Sequence, residues 1–102
     1  MNVATSREAF LSDQRARLNE RVAEYRHLDL VTPSGVDLRV VFKTRVSMPN
    51  ILMALSRIAD GTYGECVDCE ENIPHGRLLV VPGAIRCVRC QNTEEDRIAD
   101  KR

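Results

Sequence analysis

Cys66-Val67-Asp68-Cys69 and Cys87-Val88-Arg89-Cys90 hold all four cysteines of the 102-residue chain, with 17 residues between the two pairs. C-x2-C, a short excursion and a second C-x2-C is the spacing of a tetrahedral zinc site. Each C-x-x-C folds the backbone into a tight knuckle that turns two sulfurs toward one metal. Two knuckles supply four thiolates, so Cys66, Cys69, Cys87 and Cys90 are the candidate ligands of a Zn2+ ion. Four protein ligands leave no open position for water or substrate, which makes such an ion structural rather than catalytic. Two disulfides would need an oxidising compartment. A redox C-x-x-C would sit in a βαβ pattern that the chain lacks. Iron–sulfur clusters use other spacings.

Working outward, the charge is balanced and unevenly placed. The chain carries 15 Lys/Arg and 15 Asp/Glu. Residues 1–48 hold eight basic and six acidic side chains, residues 49–102 seven and nine. A zinc ion with four thiolates adds −2, so the second half comes to −2 − 2 = −4. Glu65, Asp68, Glu70 and Glu71 crowd the first knuckle. A zinc module that grips phosphates displays a basic face, so direct nucleic-acid binding is disfavoured. Arg86 and Arg89 flank the second knuckle and are read as local compensation for thiolate charge. No stretch approaches the ~20 apolar residues of a membrane span. Met1–Glu8 shows no basic-then-apolar export signal. Free thiols and no export signal together predict a cytoplasmic protein.

Toward the N-terminus, Thr5 and Glu8 fit a capping box that opens an amphipathic helix from about Ser6 to His27. Leu11, Leu18, Val22 and Tyr25 form its stripe, interrupted by Gln14 and Arg15. From Val36 to Val46 the period changes to two. Leu28–Val31, a Thr32-Pro33-Ser34-Gly35 turn and Val36–Phe42 predict a β-hairpin, with a second helix as the other option. Pro49 then starts a short helix that Gly61 closes as a left-handed cap. Between the knuckles, Arg77–Val81 reads as a strand and Pro82-Gly83 as a type II turn, giving a second hairpin. After Cys90, Asn92 or Thr93 caps a final short helix. The expected fold is therefore α+β. Residues 1–48 form an N-terminal helix with a hairpin or arm, and residues 49–102 a four-cysteine zinc finger with flanking helices.

The runs Leu55–Cys69, Asn72-Ile73-Pro74-His75-Gly76-Arg77-Leu78 and Pro82–Gln91 resemble the zinc finger of the DksA/TraR family, over about residues 50–95. The resemblance implies a bacterial transcription regulator that binds RNA polymerase directly, through its secondary channel, rather than DNA. It implies that the finger and the helix after it contact the channel rim, and that an N-terminal helical arm carries acidic residues at its tip. The Asp-x-x-Asp-x-Ala tip of the long members is missing here. Glu8 and Asp13 near the start, or Asp29 and Asp37 about the presumed turn, are the candidate substitutes. Glu70 replaces the usual glycine after the second cysteine. A structural zinc module that dimerises or docks on another protein is the alternative function. His75 is a spare candidate ligand; His27 serves the helix dipole or solvent, and Tyr63 and Ile73 belong to a small core. No catalytic constellation stands out, so no enzyme activity is expected.

Overall fold

The computed structural model describes residues 3–31 and 37–100, with side chains for residues 6–31 and 37–97. Helix α1 spans Val3–Val31. A second helical path then runs antiparallel to it: α2 (Leu38–Phe42), a π turn (Lys43–Ser47) and α3 (Met48–Asp60) follow one another without a break. Two short helices belong to the finger, α4 (His75–Val80) and α5 (Val88–Asp100). The molecule is elongated, 50 × 33 × 21 Å.

The fold is all-α, which corrects the α+β expectation. No strand forms among the described residues, and the pairing of Glu65 with Asn72 is an isolated bridge. The predicted hairpin of Leu28–Val31 with Val36–Phe42 does not exist: its first half is the last turn of α1 and Leu38–Phe42 is helical. Its turn, residues 32–35, and residue 36 of its second half lie outside the described residues. The second-helix option holds instead. The predicted strand Arg77–Val81 is also helical up to Val80, as most of α4. Pro82 and Gly83 do occupy a turn, closed by the Ala84 amide donating to the Val81 carbonyl at 3.0 Å. It is not type II, because Gly83 has no positive φ. Gly83 is needed there for closeness: a Cβ would lie 3.1 Å from Ile51 Cγ1 of α3.

Local chemistry explains the helix boundaries. Thr5 lies inside α1, so the expected capping box does not start it. Asp37 caps α2, its Oδ1 accepting the Arg39 amide at 2.9 Å. Pro49 lies in the first turn of α3 and has no N–H. In a regular helix its ring would press on the carbonyl four residues back, that of Arg45. The wider π turn just before it relieves that clash, and the Met48 amide reaches back to the Lys43 carbonyl. Gly61 ends α3 at φ 85°, the left-handed cap expected. The Thr62 amide closes the end on the Arg57 carbonyl at 2.9 Å. The last helix starts earlier than expected, inside the second knuckle, and Thr93 is an interior residue whose hydroxyl donates to the Arg89 carbonyl.

One core joins α1, α3 and the finger. Leu18, Val22 and Tyr25 of α1 pack with Ile51 and Ala54 of α3 and with Tyr63, Ile73, Leu78, Ala84 and Ile85 of the finger. Burying a side chain such as Leu18 contributes about 1.5–3 kcal/mol. Gln14, read from sequence as a break in the stripe, is 1% exposed and sits in the core. Its Nε2 donates to the Tyr63 hydroxyl at 2.9 Å and to the Leu78 carbonyl at 2.8 Å. Tyr63 in turn donates to the Pro82 carbonyl at 2.8 Å. This chain of bonds fastens α1 to the finger.

Candidate metal centre

The backbone builds the two knuckles first. Val67 donates to the Ile85 carbonyl at 2.9 Å, which ties the first knuckle to the segment entering the second. Cys66 donates to the Glu71 carbonyl at 2.8 Å, and Glu70 to the Cys66 carbonyl at 3.0 Å, so the first knuckle closes on itself. The closure forces Glu70 to φ 65°, a region that costs an L residue about 1–2 kcal/mol. That is where the sequence has Glu in place of the usual glycine. In the second knuckle, the Cys90 amide points at the Cys87 sulfur at 3.5 Å.

The four sulfurs of Cys66, Cys69, Cys87 and Cys90 lie within 4.8 Å of one another. All four are free thiols. Cys69 Sγ and Cys87 Sγ are 3.8 Å apart. A tetrahedron with Zn–S bonds of about 2.3 Å has edges of about 3.8 Å, whereas a disulfide needs about 2.05 Å. The donor set and its spacing therefore fit Zn2+. The electrostatics agree. Burial opposes ionisation of Cys66, but the backbone N–H groups of Cys69, Cys87 and Asp68 outweigh it and bring the thiol down to about 6. Cys90 is pushed up to about 12, first by the Cys87 sulfur and then by burial and the other sulfurs. Four thiols this close cannot all ionise without a cation among them.

Side chains around the sulfurs hold the knuckles together. Arg86, 20% exposed, donates from Nε to Asp68 Oδ2 at 2.7 Å, bridging the residue before Cys87 to the middle of the first knuckle. The Cys69 sulfur, then Glu71 at 3.7 Å, hold the Arg89 guanidinium firmly protonated. Both arginines thus face the negative charge of the first knuckle.

The other candidates lie elsewhere. His75 is outside the sulfur cluster and packs at a tilt against Phe10, with ring centroids 4.6 Å apart. Tyr63 and Ile73 are buried in the core as expected. Glu8, Asp13, His27 and Asp29 are exposed along α1. Asp37 is engaged as a cap, and the Arg39 side chain and amide hold its carboxyl below the usual range. Sequence reasoning missed Gln14. Its position between Leu11 and Leu18 at helical spacing was the available signal. Among the described residues no helix is long and apolar enough to cross a membrane.

Comparison with known proteins agrees with this geometry. Residues 61–96 match the prokaryotic DksA/TraR C4-type zinc finger. The chain is 37% identical over 70 residues to General stress protein 16O of Bacillus subtilis (strain 168), covering 69% of this chain and 43% of that protein. An uncharacterised protein of Aquifex aeolicus (strain VF5) is 43% identical over 42 residues, 41% of this chain and 29% of that one. The chain thus spans less than half the length of these curated relatives. In fold it is similar to the RNA polymerase binding protein and transcriptional regulator Dks of Chlamydia trachomatis L2 (LGV434). The TM-score is 0.71 at 24% identity, covering 88% of this chain and 92% of that one.

Proposed function

Given that the chain belongs to the DksA/TraR family through its zinc finger, we propose that it is a transcription regulator that acts by binding RNA polymerase directly, not DNA. The observation that carries this reading is the single core joining the finger to a two-helix arm. Cys66, Cys69, Cys87 and Cys90 hold the zinc, which supplies rigidity and leaves no open coordination position for catalysis at the metal, in keeping with a regulator rather than an enzyme. The finger is the docking base. The Gln14–Tyr63–Pro82 bonds hold the arm at a fixed angle to that base, so docking places the arm's outer end at a defined point of the target. A rigid probe of this kind regulates by preferring one state of its target, typically by about 1–3 kcal/mol. Asp60, Glu65, Asp68, Glu70 and Glu71, with no Lys or Arg between Ile58 and Gly76, argue against phosphate binding by the first knuckle. The cytoplasm, where polymerase and reduced thiols coexist, is the expected location.

The test is co-elution of the zinc-loaded chain with bacterial core RNA polymerase in size-exclusion chromatography at about micromolar concentration. Co-elution, with no salt-sensitive retardation of DNA in a gel shift, is expected. Absence of a polymerase complex, or a DNA complex that weakens steeply with salt, would overturn the reading.

A further inference from the structure

The outer end of the arm is apolar where acidic residues were sought. Leu38, Phe42 and Val46 recur every four residues, and they are 81%, 58% and 47% exposed. Beside them lies a groove of about 560 Å³, lined by Leu28, Leu38, Val40 and Phe42 with the charged Asp37, Arg39 and Lys43. Leu30 and Val31, on the last turn of α1, are exposed as well. A stripe of this kind at one end of a rod is a surface for another macromolecule.

Charge decides which. Residues 26–31 and 37–47 contain Arg26, Arg39, Lys43 and Arg45 against Asp29 and Asp37, so this end carries 4 − 2 = +2. Asp37 is already committed to Arg39, at 3.3 Å. Lys43 keeps its ammonium 5.8 Å from the centre of the Tyr25 ring, at the arm's edge. The finger end is acidic, so the two ends of the molecule differ in sign as well as in hydropathy. A second copy seated stripe to stripe would bring two positive ends together. An amphipathic helix with apolar residues three and four apart and flanking carboxylates matches both the spacing and the sign.

We propose that the stripe Leu38–Phe42–Val46 and its groove dock an acidic amphipathic helix of the protein on which the finger seats. This rests on the regulator reading above and specifies the contact: the arm engages by apolar docking inside a basic rim, not by offering carboxylates to a metal or a cation.

The test uses the full zinc-loaded chain and two synthetic amphipathic helical peptides of equal length, one Leu/Glu and one Leu/Lys, read by fluorescence anisotropy. Core RNA polymerase binding is measured in parallel. The expected result is capture of the Leu/Glu peptide alone. L38D/F42D, checked for unchanged zinc content and circular dichroism, should weaken both peptide and polymerase binding roughly tenfold or more. R45E should weaken peptide binding a fewfold, an effect that fades at high salt. Equal capture of both peptides, or of neither, overturns the proposal. So does a dimer in light scattering that L38D/F42D abolishes, or phosphatidylglycerol vesicles that bind more tightly than the Leu/Glu peptide. Polymerase binding untouched by L38D/F42D sinks the face and leaves the regulator reading standing. Leu38-dependent capture of the Leu/Glu peptide without any polymerase binding sustains the face and removes polymerase as the partner.

Discussion

The finger and the outer arm solve the same problem, holding a short backbone in place, by opposite means. The finger gathers Cys66, Cys69, Cys87 and Cys90 around one point and locks the knuckles with short backbone bonds and the Arg86–Asp68 pair. Its own apolar content is small, and the metal supplies what a larger core would. The arm has no such staple. Near the finger it is held by burial of Leu18, Val22, Ile51 and Ala54. Farther out, α2 buries no residue. The difference teaches where each half is vulnerable: the finger to chemistry at a few atoms, the arm to packing along its length.

Removing one ligand should break the finger and spare part of the arm. Cys66→Ser, or treatment with a strong chelator, is expected to release zinc whose binding in finger peptides is worth about 10–16 kcal/mol. Hydrogen exchange should show lost protection over residues 63–90 while circular dichroism keeps part of the α1 and α3 signal. Stoichiometric zinc in Cys66→Ser would remove the distinction.

The joint between the halves comes next. Gln14→Leu strands the Leu78 carbonyl and takes a donor from Tyr63, so urea unfolding should show a loss of about 1–3 kcal/mol. A neutral result would mean that apolar packing alone joins arm to finger. Gly83→Ala pushes a methyl against Ile51 and should cost about 1–3 kcal/mol by the same measurement.

Tyr63 gives the joint a pH signature. Burial raises its hydroxyl above the ordinary 10.0. The unfolded chain ionises there first, so the stability Tyr63 contributes is intact below pH 10 and lost as the pH rises beyond it. Urea midpoints of the wild type should fall over that alkaline range, and Tyr63→Phe should flatten the fall. The smallest effect lies within the finger. Glu70→Gly releases the strain at φ 65° and should stabilise by up to about 1 kcal/mol, read as a higher melting temperature.

The same division governs what the sequence alone could reveal. The knuckles of the finger were legible because their constraints are local: two C-x2-C pairs, Gly61 as a cap, Glu70 where a glycine belongs. The outer arm was misread because its apolar residues fit two periods at once. Leu38, Val40, Phe42 and Val46 satisfy a period of two, yet Leu38, Phe42 and Val46 also satisfy a period of four. Val41 and Thr44, which break the alternation, are both half-buried, and the Thr44 hydroxyl donates to the Val40 carbonyl at 3.0 Å. The run Leu78–Val81 was ambiguous for a related reason: four apolar residues fit a strand or a helical turn equally well. Gln14 was discounted for its polarity, although its partners Tyr63 and Leu78 are 49 and 64 residues away and no local pattern names them.

The π turn at Lys43–Ser47 has a geometric consequence for the whole rod. A wide turn holds one surplus residue, and one residue corresponds to about 100° of rotation about a helix axis. The compass bearing of Leu38 and Phe42 relative to Ile51 and the sulfur cluster is thus dialled at that one coil. Were the same residues wound as an unbroken α-helix, the far end would sit roughly a quarter-circle away with its composition untouched.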